Sequence, residues 1–265
     1  MLTFLTLYCL DLLKNSPQGR HLKKNINIIP SLKIKVVSAF SFLFLFCSPI
    51  LNASEKNHFN LYLSGIKAGE LTYIKKLKNS EYSILGVMRS TGIFSVFAKY
   101  RFEGYTTGEI KNGDLYPKSY TEKSDTGKRT TDRKILYKNG IPSVISDEKR
   151  KPYWLQPSTQ KNSLDPMSAL ITVLGDQTSE TPCETAFIVY DGARQFSIRL
   201  FEPSFSKGKL RCNGLFTRLG GYSKKQLSKG KKFPFFIEFK NKGKLYEAHL
   251  FIVTTLRGRV KFVRD

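Results

Sequence analysis

The sequence contains few of the residues that carry most enzyme chemistry. Histidine occurs 3 times in 265 residues and forms no His-x-x-x-His pair, and the 4 cysteines form no Cys-x-x-Cys pair. A zinc site with ordinary ligand spacing is therefore unsupported. Nucleophile-elbow, P-loop and dinucleotide-binding glycine patterns are also absent from the sequence. We therefore predict no cofactor, no metal and no catalytic activity.

Acidic residues are scarce relative to basic ones. The chain has 44 Lys and Arg against 21 Asp and Glu residues, a formal net charge of +23 and a pI near 9.9. This balance favours an anionic partner such as a lipid, a lipoprotein, lipopolysaccharide or an anionic membrane surface. Nucleic acid is also anionic, but we do not expect it as a partner in the cell if the chain is exported.

The apolar run near the N-terminus is short, and its context indicates export. Lysines 23, 24, 33 and 35 precede an apolar run over residues 36–46, which Pro49 and then the small residue Ala53 follow. This order is typical of a secretory signal peptide, and a permanent transmembrane helix needs about 20 apolar residues. We predict a targeting segment over residues 1–53, a single β-rich domain over residues 54–265 and a periplasmic location. A start downstream of Met1 and a retained N-terminal membrane anchor are the alternatives.

Cleavage after Ala53 would leave two cysteines and most of the charge. The mature chain would carry 38 basic against 20 acidic residues, a net charge of +18. Cys183 and Cys212 would remain, and a lone pair of cysteines in an exported chain suggests a disulfide. Two buried free thiols are the alternative.

Alternating apolar and polar residues between turn signals predict roughly a dozen antiparallel strands from Phe59 onward. Asn112-Gly113 and Asn139-Gly140 are the clearest hairpin signals, because both residue types tolerate the positive φ of a type I′ turn. We predict a mainly β fold, an antiparallel curved sheet or incomplete β-barrel.

One helix is predicted within this β pattern, over residues 165–174. Asp165 fits an N-cap, Pro166 the first helical position and Gly175 the stop. Residues 167, 170, 171 and 174 then form one apolar face. We expect this face to pack on the concave side of the sheet as a plug or lid.

Several stretches together resemble the bacterial domain of unknown function 3108 family. They are FNLYLSGIKAGEL at 59–71, STG at 90–92, DPMSAL at 165–170, VYDGARQFSI at 189–198, and Cys212 with Gly221-Tyr222. The resemblance implies an exported envelope protein with a β-rich fold, akin at fold level to half-barrel lipoprotein carriers. It implies no catalytic residues.

Individual carboxylates and histidines have structural explanations. Asp191 fits a hairpin turn, and Asp165 a helix cap. His249 lies in an alternating strand, where a satisfied face residue is the ordinary outcome. Glu103 and Glu109 lie on predicted strands, and a hydrolase would need such groups to converge. An envelope hydrolase is thus the least favoured function.

The segment 149–162 is the candidate binding loop. It carries Trp154, the only tryptophan, between Tyr153 and Leu155 and after Lys149, Arg150 and Lys151. Rings bracketed by cations suit an amphipathic anionic ligand. We add Met167 and Leu170 of the predicted helix as further lining residues. The alternative is that Trp154 packs under its loop. The lysine-rich segments 205–211 and 223–232 are predicted to be solvated or to dock on an anionic membrane.

The sequence thus predicts a non-catalytic periplasmic envelope protein that binds a lipid, a lipoprotein or another amphipathic anionic ligand. In that prediction the curved sheet supplies an apolar cavity, which the helix and the binding loop gate. The main alternative is a structural or scaffolding envelope protein with a filled core and no small ligand. An open cavity would favour the carrier, and close packing would favour the scaffold.

Overall fold

The computed structural model describes residues 53–180, 182–255 and 258–265. The predicted targeting segment therefore lies outside the described residues, apart from Ala53. Among the described residues, no helix is long and apolar enough to cross a membrane.

Thirteen antiparallel strands form one continuous sheet, which confirms the predicted mainly β fold. In chain order they are β1 Ala53–Leu63, β2 Ile66–Lys78, β3 Glu81–Ser90, β4 Arg101–Lys111, β5 Asp114–Asp125, β6 Thr130–Lys138, β7 Ile141–Ser146, β8 Thr185–Tyr190, β9 Gln195–Ser206, β10 Lys209–Gly220, β11 Lys232–Lys242, β12 Leu245–Thr255 and β13 Gly258–Arg264.

Each strand pairs with its neighbours in sequence, except that β7 and β8 do not pair with each other, and β1 also pairs with β13. The order is β7-β6-β5-β4-β3-β2-β1-β13-β12-β11-β10-β9-β8, so β7 and β8 are the two edges. The register between β1 and β13 places Leu61 opposite Phe262. The sheet is therefore an incomplete barrel with one opening, between β7 and β8.

Alternation along each strand directs one row of side chains to the interior. In β3, Tyr82, Ile84, Gly86 and Met88 are buried, and the residues that alternate with them are exposed or half-buried. The core is rich in aromatic rings that meet across neighbouring strands, for example Phe251 between Phe235 and Phe262 at centroid distances of 5.2 and 5.5 Å. Such rings contribute by their large buried area and by their edge-to-face contacts.

The hairpin signals of the sequence are confirmed in the backbone. Asn112 and Gly113 have φ of 53° and 86°, and Asn139 and Gly140 have φ of 52° and 75°. These turns lie at one end of the sheet, together with the turns at 79–80, 207–208 and 243–244. We call it the turn end. The other end, which carries the connections 64–65, 91–100, 126–129, 191–194 and 221–231, is the rim end.

Within the described residues, three short α-helices interrupt the strands: α1 Ile93–Phe97 joins β3 to β4, α2 Pro166–Leu174 lies between β7 and β8, and α3 Lys224–Leu227 joins β10 to β11. A 3-10 turn spans Pro157–Thr159. Helix α2 is the predicted helix, with Asp165 at its N-cap and Gly175 at its C-cap. The helical period does not reveal α1 and α3, because four or five residues barely complete one turn.

Helix α2 lies on the concave face, as predicted, and its residues are buried except Thr172. The Asp165 carboxylate accepts hydrogen bonds from the Met167 and Ser168 amides at 2.8 and 3.1 Å and from the Ser168 and Thr106 hydroxyls at 2.5 and 3.0 Å. Tyr82 adds a 2.8 Å hydrogen bond with the Ser168 hydroxyl. The helix is therefore fastened to β3 and β4 by buried polar groups.

Met167 anchors the helix against a paired glycine notch. Gly86 and Gly104 face each other across β3 and β4. A Cβ on Gly104 would lie 2.8 Å from Met167 Cγ, and one on Gly86 would lie 3.0 Å from its sulfur. The two glycines therefore leave the space that the Met167 side chain fills.

The predicted Cys183–Cys212 disulfide is present, with Cα atoms 5.5 Å apart. It fixes the segment that follows α2 to β10 at the turn end. A second tie is the antiparallel bridge between Gln177 and Tyr246. The part of the β7–β8 connection that follows α2 is therefore attached to the sheet at two points.

Candidate functional site

The candidate site forms where the chain crosses the opening between β7 and β8. The Leu155 amide donates a 3.0 Å hydrogen bond to the Ala193 carbonyl, and Leu164 forms a parallel bridge with Val189 of β8. On the other side, the Asn162 amide donates to the Gly140 carbonyl at 2.8 Å. Residues 155–164 thus join the two edges of the incomplete barrel.

The exposed side chain of Arg150 stabilises the binding loop by hydrogen bonds to its backbone. Its Nη2 donates to the Trp154 and Leu155 carbonyls at 3.1 and 2.6 Å. The Tyr190 hydroxyl donates to the same Leu155 carbonyl at 3.3 Å. Burial, followed by the charge of Asp191, raises the pKa of Tyr190 to about 12, so it stays a donor at neutral pH. The loop conformation is set by these contacts before any ligand arrives.

A buried ionic network lies under the loop. Arg133, on the interior face of β6, pairs with Glu122 at 3.3 Å and with Glu148, and Tyr120 donates to Glu122 at 2.7 Å. Arg129 adds a second cation to Glu148. Arg133 and Glu122 are 2% and 0% exposed, so these charges are held by each other rather than by water.

The β8–β9 turn completes this network. The Arg133 Nη1 donates a 2.6 Å hydrogen bond to the Asp191 carbonyl, and a Cβ on Gly192 would lie 3.0 Å from Arg133 Nε. The Asp191 carboxylate accepts from the amides of Ala193 and Arg194 at 3.0 and 2.7 Å. These bonds confirm Asp191 as a turn residue.

The charge state of Asp191 follows from its neighbours. Burial alone would raise the pKa of the carboxyl, but the guanidinium groups of Arg194 and Arg133 and the two amides lower it below the ordinary value. Asp191 is therefore ionised at neutral pH, as its partnership with two buried arginines requires.

Trp154 lies between two cations on top of this network. The Arg133 guanidinium is 6.0 Å and the Lys151 ammonium 5.9 Å from its ring centroid, both within reach of a cation–π interaction. The ring is half-buried. Trp154 therefore packs on its loop and also presents ring surface to solvent, which combines the two predicted roles.

A groove with a volume of about 960 Å³ runs along this part of the rim end. Its lining is charged apart from Trp154 and a few hydroxyls, and the charged members are Arg101, Lys123, Arg129, Lys149, Lys151, Glu103, Asp125, Asp132, Asp147 and Glu148. Arg101, Lys123 and Arg129 form ion pairs with acidic lining residues. Among the described residues, the lining lysines Lys149 and Lys151 make no ion pair, and neither does the lining carboxylate of Asp147.

The predicted ligand-binding residues separate into two groups. Lys149, Lys151 and Trp154 line the groove, Tyr153 is 38% exposed beside it, and Arg150 and Leu155 support the loop from within. Met167 and Leu170 lie elsewhere, in the core, at 0% and 4% exposure. The structure brings the loop residues together and places the two helix residues against the sheet.

The groove also uses residues that the sequence patterns do not single out. Glu122, Arg129, Arg133 and Glu148 hold its floor and come from β5, β6 and the segment after β7. One local signal exists for Arg133, which occupies an interior position between Thr131 and Ile135 on β6. A charged residue in an apolar row indicates a buried partner but does not identify it.

The interior of the sheet is closely filled. A small apolar space beneath α1, lined by residues such as Leu61, Met88 and Phe94, measures about 30 Å³. Small-molecule sites usually measure at least about 300 Å³. This space is too small for an acyl chain.

The carboxylates and the histidine considered for catalysis do not converge. Glu103 pairs with Arg101 on β4, Asp191 is in the β8–β9 turn, and His249 is on β12, with four strands between β4 and β12. Burial, followed by Lys240 and Lys209, lowers the pKa of His249. Within the described part of the chain, no group of three or more His, Cys, Asp or Glu residues is arranged to hold a metal.

Comparisons with known proteins give a family match for the sequence and a structural similarity for the fold. A family model described as "Protein of unknown function (DUF3108)" matches residues 58–202, more than half of the 265 residues. No curated protein matches the chain. A solved structure, the "Crystal Structure of Beta-barrel-like Protein of Domain of Unknown Function DUF1849 from Brucella abortus", is similar at a TM-score of 0.43 and 8% identity, over 82% of this chain and 96% of that chain.

Proposed function

The chain belongs to the DUF3108 family of proteins of unknown function, and we propose that it is a non-catalytic periplasmic protein that binds an amphipathic anionic ligand in the rim-end groove. The observation that carries this proposal is the juxtaposition of Trp154 with Lys149 and Lys151 over a floor of paired, buried charges.

The ligand class follows from the chemistry of the groove. The ion pairs of the floor cancel most of its charge, while Lys149 and Lys151 keep theirs. An anionic headgroup would meet these two ammonium groups, and the apolar part of the ligand would lie on the exposed face of Trp154. A lipid, a lipopolysaccharide or the acyl-modified end of a lipoprotein has both parts.

Two features support the periplasmic assignment. The order of basic, apolar and small residues over 23–53 is that of a secretory signal. The Cys183–Cys212 disulfide belongs to an oxidising compartment. Non-catalytic binding is supported by the separation of Glu103, Asp191 and His249 on distant elements.

The filled interior argues against transport of an acyl chain inside the sheet. To admit an acyl chain, helix α2 would have to leave the concave face. This movement would break the Asp165 hydrogen bonds and the Met167 contact. The same close packing favours the second candidate function, a scaffold of the cell envelope that takes no small ligand.

Trp154 supplies the test, because it is the only tryptophan in the chain. Lysophosphatidylglycerol below its micelle concentration is the anionic probe, and dodecyl maltoside is the uncharged control. We expect a saturable change in Trp154 emission with the anionic probe alone. Reversing both charges in K149E/K151E should weaken binding about ten-fold or more, the equivalent of roughly 1.4 kcal/mol.

The matched control is K240E/K244E, which makes the same charge change on exposed lysines near the turn end. This variant should bind as the wild type does. An unchanged Trp154 emission up to saturating probe, or equal weakening in both variants, would refute groove binding. The scaffold would then be the better account.

A further inference from the structure

Four exposed apolar side chains stand on the rim end, away from the groove. They are Ile66 after the β1–β2 turn, Ile93 and Val96 on α1, and Leu227 on α3, at 57%, 61%, 75% and 43% exposure. Isolated exposed apolar residues are ordinary on protein surfaces. Here four of them lie on three connections at the same end of the sheet.

Helix α1 is amphipathic, with Ile93 and Val96 on its exposed face and Phe94 on its inner face. Phe94 turns inward and lines the small space beneath the helix with Leu61 and Val260. The Ser95 hydroxyl donates to the Gly92 carbonyl at 2.7 Å and closes the turn. Ile93 and Val96 therefore project to solvent from a helix that is fixed on its other face.

Helix α3 is fixed as well, and it adds positive charge. Ser223 and Gln226 form a reciprocal capping box, and the buried Arg218 donates to the Gln226 and Gly230 carbonyls at its C-terminal side. Residues 218–232 contain six Lys or Arg and no Asp or Glu. The exposed residues Lys224 and Lys225 lie on the same helical turn as Leu227.

The β1–β2 turn and the connection that carries α1 are adjacent on the rim, and β13 and β12 lie between them and the connection that carries α3. The Thr91 amide before α1 donates to the Ala68 carbonyl of β2 at 3.1 Å, and the Ser64 amide donates to the Arg259 carbonyl of β13 at 3.3 Å. In the sheet, β13 pairs with β12 and β12 with β11, the strand that follows α3 in the chain. Lys67 and Arg259 add cations between the two helices.

The turn end has a different electrostatic character. Several of its lysines form ion pairs with glutamates, as in Lys75–Glu55 at 2.8 Å, Lys118–Glu109 at 2.7 Å and Lys242–Glu247 at 3.6 Å. The segment around α3 differs, because residues 218–232 contain no acidic residue that could pair with their cations.

We propose that this rim, formed by α1, the β1–β2 turn and α3, docks on an anionic phospholipid bilayer. Ile93, Val96 and Leu227 would enter the headgroup region while Lys224 and Lys225 contact phosphates. Apolar points spaced around a rim, with flexible lysines between them, fit a fluid surface that needs no complementary shape. This inference goes beyond groove binding and uses different residues.

The experiment is flotation of the mature protein with vesicles of phosphatidylglycerol and phosphatidylcholine in equal parts, against vesicles of phosphatidylcholine alone. Wild type should float with the anionic vesicles only, and high salt should release it. K224E/K225E should bind at least about 25-fold more weakly, because each of the two cations near an anionic membrane adds roughly a five-fold factor. V96D should also weaken binding.

Two variants near the turn end are matched controls. K240E/K244E makes the same charge change, and L245D replaces an exposed leucine there. Both should bind as the wild type does, and equal far-UV circular dichroism should verify folding of all four variants. Equal binding to both vesicle types, equal loss in rim and control variants, or the absence of flotation would overturn the proposal.

Discussion

The Arg133 guanidinium on β6 donates a 2.6 Å hydrogen bond to the Asp191 carbonyl in the β8–β9 turn. β6 and β8 lie on opposite sides of the opening in the sheet. This one contact therefore spans the gap that strand pairing leaves. The same side chain holds Glu122 and Glu148 under Trp154, so one residue both bridges the opening and holds the floor of the groove.

Replacing Arg133 with Met should destabilise the protein strongly. The substitution leaves Glu122 and Glu148 without their buried cation, and breaking a buried ion pair costs about 3–5 kcal/mol. Urea unfolding followed by circular dichroism measures the change. Lys134→Met, at the next, exposed position of β6, is the control and should change stability by less than about 0.5 kcal/mol. A similar loss in both variants would show that the network is not a major source of stability.

Filling the glycine notch should also destabilise the fold. In Gly104→Ala the new methyl would lie 2.8 Å from Met167 Cγ, an atom too near the helix backbone to swing away. Overpacking of this kind costs about 1–3 kcal/mol. A double-mutant cycle with Met167→Ala tests the cause, since removing the Met167 side chain should relieve the cost of the added methyl. Strict additivity of the two substitutions would contradict the packing described here.

The sequence predicts where helix α2 begins and ends because the residues that set its two ends are local. Asp165, Pro166 and Gly175 specify the cap, the first turn and the stop within one short segment. The hairpins at Asn112 and Asn139 are local in the same sense. The notch of Gly86 and Gly104 cannot be predicted from local sequence. It forms only when two strands and a helix that are distant in sequence pack together.

The floor of the groove was beyond the sequence patterns for the same reason. Glu122, Arg133 and Glu148 become partners only when β5, β6 and the segment after β7 are neighbours. The loop residues Lys149, Lys151 and Trp154 were predicted because they are adjacent in sequence. The helical spacing of Met167 and Leu170 is compatible with a ligand-lining face. The same spacing is also typical of a face packed on the core, where the structure places both residues.

Loss of the disulfide should lower stability by about 3–4 kcal/mol. Cys183 and Cys212 close a loop with a sequence separation of 29, and the chain-entropy estimate for such a loop falls in this range. Urea unfolding of Cys183→Ala/Cys212→Ala should match that of the wild type under reducing conditions. If the wild type unfolds at the same urea concentration with and without reductant, the cross-link does not stabilise the protein.

The pH dependence of stability should reveal Asp165. Burial raises the pKa of this carboxyl above 3.8, although its hydrogen bonds oppose the shift. A raised pKa means that the folded state binds the proton more tightly, so the contribution is full below pH 3.8 and is lost as pH rises through the folded pKa. Asp165→Asn keeps a capping oxygen and does not titrate.

The difference in unfolding free energy, Asp165→Asn minus wild type, should therefore increase as pH rises from below 3.8 toward neutrality. Urea titrations of both proteins across this interval measure it. Asp165→Ala, which removes the cap, should be less stable than Asp165→Asn at every pH. A difference that stays constant or decreases with pH would show that Asp165 has no raised pKa in the folded protein.

Hydrogen–deuterium exchange with lysophosphatidylglycerol tests the central claim most directly, because it separates a surface groove from an interior carrier. If the ligand binds beside Trp154 on the outside of a filled sheet, exchange should slow over residues 147–154, and the amides of α2 should stay equally protected with and without the probe. Faster exchange over residues 166–174 on addition of the probe would contradict the account, because it would show that the helix leaves the concave face to admit the ligand.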